Sequence, residues 1–245
     1  MTNQIPVTDG VGRLGRALGP QLLSDGHAVR VLSRKPPSDV QTWRGVLLTG
    51  VGLEEAVDGV GVMVHCATGN DRADITATRN LIRTAVRAGR PYLIYVSLVG
   101  VGQVDVAYYR AKPACEQLVE RSALPWTIRR RTQFHELSVW MCTSRRRLPM
   151  IVMPSGVGFR PVDAGEVAAG LAMPAGAPPT GRMVEMGGPE VRPAADLACP
   201  YARSRSRRRP VVPMPGAGIR SYREGVHLTP EHADGRSTFE QFLAA

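Results

Sequence analysis

Lysine is nearly missing from this chain of 245 residues: of 31 basic side chains, only Lys35 and Lys112 are lysines. Long apolar runs are missing too. None reaches the ~18 residues of a membrane-spanning helix. The start, Met1-Thr2-Asn3-Gln4, lacks the basic-then-apolar layout of a secretory signal. The expectation is a cytoplasmic protein with no membrane partner. Paired cysteines are absent as well. Cys66, Cys115, Cys142 and Cys199 show no C-x-x-C spacing, and the five histidines show no H-x-x-x-H pair. No metal site and no disulfide framework is therefore expected. Aromatics make up only 5% of the chain, too few to form evident stacking platforms for single strands.

The charge of +10 is thus arginine charge, spread along the chain. Its one dense run, Arg203-Ser204-Arg205-Ser206-Arg207-Arg208-Arg209, reads as a solvated loop before Pro210. A nucleic-acid partner is not expected. Hydrophobic content of 43% is ordinary for a globular domain, and the length gives room for a real core.

The chain is organised around Val7-Thr8-Asp9-Gly10-Val11-Gly12-Arg13-Leu14-Gly15. Gly10, Gly12 and Gly15 spell G-x-G-x-x-G after a short apolar run and before the amphipathic Leu14, Ala17, Leu18, Leu22 and Leu23. A strand that turns sharply into a helix, with its backbone close to a pyrophosphate, needs glycine there. Val29-Arg30-Val31-Leu32 follows as a second strand, as a βαβ unit requires. Gly26 predicts the helix end, and Pro20 predicts a kink inside it.

The second strand ends in Ser33-Arg34-Lys35. An NAD site places a carboxylate there for the ribose 2′-hydroxyl, whereas two cations suit a 2′-phosphate. Val46-Leu47-Leu48 reads as a third strand and Leu53 to Val57 as a short helix. Val60 to Ala67 reads as a buried central strand whose end, Ala67-Thr68, lies at the ligand edge of such a sheet. Asp74 to Ala88 reads as a helix stopped by Gly89, and Tyr92 to Ser97 as a strand ending in a hydroxyl. This alternation predicts a doubly wound α/β fold with a parallel sheet. Tyr108 and Lys112, four residues apart, predict one helical face on which an ammonium lowers a phenol's pKa.

These residues, with Thr132-Gln133-Phe134-His135, resemble the atypical short-chain dehydrogenases/reductases, and within them the NmrA-like NAD(P)H-binding branch. Later marks of the likeness are Phe159-Arg160-Pro161-Val162-Asp163, Glu166-Val167-Ala168, Gly187-Gly188-Pro189-Glu190 and Thr238 to Leu243. The resemblance implies a Rossmann domain over 1–135 and a small substrate-binding region over 136–245, packed as one unit. It implies NADP(H) held by Gly10, Gly12, Arg13, Leu14, Gly15, Ser33, Arg34, Lys35, Ala67, Thr68 and Lys112. Tyr108, Lys112 and Ser97 would be catalytic. The departures are Asp9, Val46, Gly61 and Pro113, at positions where the family carries other residues.

The expected activity is NADP(H)-dependent oxidation or reduction of a small carbonyl, enone or quinone, in a setting of secondary metabolism. Two alternatives are an NADP(H)-sensing regulator, and a repurposed fold doing cyclisation, dehydration or isomerisation. The expected partners are a small-molecule substrate and, as an option, a second copy of the chain. His135, Trp140 and Met153 are candidates for facing the substrate.

Overall fold

A computed structural model describes residues 4–33, 42–69, 72–205, 209–215 and 220–245. Strand β1 (Gln4–Thr8) runs into the glycine loop and helix α1 (Arg13–Ser24), then β2 (Ala28–Ser33). Gly26 ends α1 with φ 84°. Its N–H bonds to the Leu23 carbonyl at 3.1 Å, and that of His27 to the Leu22 carbonyl at 3.0 Å. This is the paired closure of a Schellman turn, which needs a left-handed residue. Next come β3 (Thr42–Arg44), α2 (Leu53–Val57), β4 (Val62–His65), α3 (Arg72–Arg87), β5 (Tyr92–Leu98), α4 (Ala107–Arg110), α5 (Lys112–Glu120) and β6 (Trp126–Arg131). The later elements are α6 (His135–Thr143), β7 (Ile151–Pro154), β8 (Gly158–Phe159), α7 (Ala164–Ala175), β9 (Gly181–Arg182) and β10 (Arg192–Pro193). They end with α8 (Ala194–Ser204), β11 (Val211–Met214), α9 (Arg220–Arg223) and α10 (Phe239–Ala244).

The main sheet has the order β3-β2-β1-β4-β5-β6-β9. β1 pairs in parallel with β2 and β4, putting Val7 beside Val31 and Val64. This is the doubly wound Rossmann arrangement, and its strand order reverses between β1 and β4. Every residue of β4 and β5 is buried, which is why both read as unbroken apolar runs. On one face Met63, Leu93 and Tyr95 pack against Leu81 and Ile82 of α3 and Cys115 and Val119 of α5. Burying each large apolar side chain here contributes roughly 1.5–3 kcal/mol.

Two local expectations change. The third strand is Thr42–Arg44, not Val46 to Leu48. The carbonyls of Leu47 and Leu48 instead accept the Asn80 amide at 2.9 and 3.0 Å, so this apolar triplet is a turn pinned to α3. Tyr108 and Lys112 do not share a helix: α4 ends at Arg110, and Pro113 sits in the first turn of α5, where its missing N–H costs nothing.

The chain divides into two compact units, each made of separate segments. The first contains residues 1–97, 107–130 and 167–184; the second contains 98–106, 131–166 and 185–245. The second unit has its own core of Ile151, Met153, Phe159, Leu197 and Phe239. Among the described residues no helix is long and apolar enough to cross a membrane. None of their His, Cys, Asp and Glu side chains forms a group that could hold a metal.

Candidate functional site

The glycine loop lies at the carboxyl end of β1, beside the point where the strand order reverses. Each of its glycines has a steric reason. A Cβ on Gly10 would come within 2.6 Å of Val31 Cγ1. On Gly12 it would overlap the Asp9 carboxylate, and on Gly15 the backbone of Asp9 and Gly10. Gly12 caps α1, and no acidic residue occupies the first turn. The first-turn amides have no acceptor within the helix, and the dipole leaves positive charge there. Arg13 is exposed, whereas Leu14 and Gly15 are buried against the sheet. Asp9 stands where the family carries glycine, and it holds a left-handed φ of 54°. Its carbonyl accepts the Gly12 N–H at 2.8 Å, which closes the turn.

The strand ends on either side of the reversal are stitched together. Thr8 Oγ1 accepts the N–H groups of Cys66 and Ala67, each at 3.1 Å. It also bonds His65 Nδ1 at 2.7 Å, while His65 Nε2 bonds Thr78 Oγ1 at 3.1 Å. Burial, and next the Lys112 charge, push His65 down to about 3 against the opposing pull of Asp74. The imidazole is therefore neutral and structural. Ser33 closes β2, buried. Arg34 and Lys35 lie outside the described residues.

Lys112 is buried. Its ammonium lies 3.3 Å from the Asp74 carboxylate and 3.4 Å from the Tyr95 hydroxyl. Asp74 also accepts the Thr68 hydroxyl at 3.2 Å and the Gly69 N–H. One carboxylate thus fixes both the loop after β4 and the ammonium on α5. Burial, and next the neighbouring Cys115, raise the Tyr95 phenol well above its ordinary value. Tyr108 is 36% exposed and packs edge-on against Tyr109.

Ser97 joins a different network. Its hydroxyl donates to Glu116 Oε1 at 2.5 Å. Arg130 binds the same carboxylate through two nitrogens, at 2.9 and 2.7 Å, and Arg182 adds a third contact at 2.8 Å. Burial alone would raise Glu116, but its bonds to Arg130, Ser97 and Arg182 outweigh that and hold it below the usual range. The structure therefore commits the serine to the buried Glu116 carboxylate, which partly exposed arginines pair. Sequence reading missed Asp74, Tyr95, His65 and Glu116. The available signals were polar side chains inside β4 and β5 and on the inner faces of α3 and α5.

In the second unit the family's marks are latches. Arg160 donates to the carbonyls of Gly188 and Thr229 at 2.6 and 2.7 Å. A Cβ on Gly188 would overlap the Pro161 carbonyl. Glu166 accepts the N–H groups of Arg236 and Ser237, and Thr238 and Gln241 form a capping box on α10. His135 stacks with Phe239 and Phe242, Met153 is core, and Trp140 is 61% exposed.

A family model described as NAD(P)H-binding matches residues 10–136. Uncharacterized proteins of Mycobacterium tuberculosis and Mycobacterium bovis are 27% identical over 169 residues, 65% of this chain and 18% of theirs. The match thus spans under a fifth of those relatives. An NADPH-dependent quinone oxidoreductase of Escherichia coli, solved with NADPH, superposes with a TM-score of 0.82 at 14% identity, covering 98% of each chain. A nucleoside-diphosphate-sugar epimerase of Staphylococcus aureus gives 0.80 at 14% identity over 99% of this chain and 100% of its own. An NAD-bound short-chain dehydrogenase/reductase superfamily protein of Agrobacterium tumefaciens gives 0.75 at 18%, covering 98% and 95%. At such identities the structural likenesses establish the fold.

Proposed function

Since this chain belongs to the NAD(P)H-binding family, we propose that it is an NADP(H)-dependent oxidoreductase acting on a small carbonyl, enone or quinone. The observation that carries the reading is the glycine loop at the strand reversal, where all three Cβ positions are filled by protein atoms and the helix end carries no first-turn acid. That cradle fits a pyrophosphate. The amides around Gly12 to Gly15 would receive it, Arg34 and Lys35 would receive the 2′-phosphate, and Ala67 and Thr68 would flank the ring end. When bound, the dinucleotide supplies or accepts the hydride. Lys112, fixed by Asp74, keeps a positive charge in place next to that edge. Tyr108, the partly exposed phenol, is the proposed proton donor to a carbonyl oxygen. Ser97 is left out of the mechanism because Glu116 holds its hydroxyl.

The test is NADPH consumption with a panel of quinones, ketones and enones, followed by absorbance. Turnover that falls in Tyr108→Phe supports the assignment. A second reading is a cofactor-responsive binding protein without turnover. It draws on the burial of Lys112, 2% exposed, against Asp74. NADPH binding with no consumption of any substrate would favour it.

A further inference from the structure

Described arginines far apart in sequence come together in the second unit. β11 pairs in parallel with β7, setting Val211 beside Ile151. The Pro210 carbonyl accepts the Ile151 N–H at 2.9 Å. This register brings Arg209 onto the segment from Arg145 to Met150. Arg209 Nη2 donates to the carbonyls of Arg145, Leu148 and Met150 at 3.3, 2.9 and 2.7 Å.

Next to this junction is a cavity of about 270 Å³, lined by Thr143, Arg146, Ile151, Tyr201, Arg205 and Arg209 among others. Among the described residues no acidic one lines it. Among the described residues no carboxylate pairs with Arg146, Arg205 or Arg209. Arg209 Nε is buried without an acceptor. A buried donor left unmet costs about 1–3 kcal/mol, and converging guanidiniums repel one another. The repulsion falls when an anion enters. The remaining wall is apolar and aromatic: Ile151, Ala202 and Tyr201, whose ring lies 5.9 Å below the Arg205 guanidinium.

We propose that this cavity binds a small organic phosphomonoester, with its phosphate among Arg146, Arg205 and Arg209 and its organic group against Tyr201 and Ile151. Phosphate has three acceptor oxygens and close to two charges, which suits the forks of Arg146 and Arg205 beside the Arg209 charge better than a carboxylate does. The volume suits a compact ligand rather than a polymer. The site lies within the second unit and is independent of the dinucleotide reading.

Phenyl phosphate is the probe, titrated calorimetrically into the full chain with and without saturating NADPH. The expected result is one site of millimolar or better affinity that NADPH does not displace. Arg146→Ala with Arg205→Ala should weaken it about tenfold or more. Neither side chain makes a hydrogen bond or ion pair among the described residues, so the thermal midpoint should hold. Benzyl alcohol should not bind, and benzoate should bind more weakly. An absence of heat, unchanged affinity in the double variant, displacement by NADPH, or equal binding of benzoate would overturn the proposal. So would a single-stranded oligonucleotide that binds more tightly than phenyl phosphate through the same arginines.

Discussion

The Lys112 ammonium lies 3.3 Å from the Asp74 carboxylate, with both side chains nearly shut off from solvent. A buried ion pair gains little over an apolar pair, but removing one partner strands a charge and costs about 3–5 kcal/mol. Asp74→Ala should therefore destabilise by that amount in urea unfolding. Adding Lys112→Met to it should restore part of the loss. If the double variant is as unstable as the sum of the singles, the pair is not coupled as described.

The glycine loop predicts a graded response. Gly15→Ala forces a methyl into the backbone of Asp9 and Gly10, so NADPH affinity should fall by about tenfold or more, at the level of ~1.4 kcal/mol. Gly19→Ala, on the same helix with nothing beyond its chain neighbours close to the new methyl, should leave affinity unchanged. Equal effects of the two substitutions in a titration and a thermal melt would argue against the cradle.

Much of this first unit was legible in the sequence. Glycine spacing marks a turn that only glycine can make, and strands buried on both faces leave long apolar runs. The polar interior was not legible. Glu116 meets Arg130 and Arg182 across 14 and 66 residues of sequence, and no periodicity encodes that. The Tyr108–Lys112 spacing misled because Pro113 starts a new helix at Lys112. Val46 to Leu48 misled because a short apolar triplet can be strand or turn, and Asn80 decided it.

Asp9 should oppose the ligand that the loop is shaped for. A carboxylate about 4 Å from a phosphate charge costs about 1 kcal/mol in water. Asp9→Gly removes that charge and suits the left-handed φ of 54°. NADPH should bind about fivefold tighter to the variant. Unchanged affinity would mean that the carboxylate points away from the bound phosphates.

His65 sets the acid limb of stability. Its folded pKa, about 3, lies below the ordinary 6.5, so the unfolded chain binds the extra proton between those values. Stability therefore rises with pH across this window and falls on acidification, by up to about 1.4 kcal/mol per pH unit. Glu116, also lowered, contributes stability that is present above the ordinary carboxylate range and is lost as pH falls through that range toward its lower folded value. Thermal melts from pH 7 to pH 4 should show a shallower slope for His65→Gln than for the wild type. Parallel slopes would remove His65 from the account.

The most direct measurement is a calorimetric titration of the wild-type chain and Arg34→Ala with NADPH and NADH. Two cations after β2, with no carboxylate, predict NADPH at least about tenfold tighter than NADH, or ~1.4 kcal/mol. Arg34→Ala should erase most of that preference and leave NADH binding nearly unchanged. Equal wild-type affinities would contradict the NADP(H) assignment, and no binding of either dinucleotide would contradict the site itself.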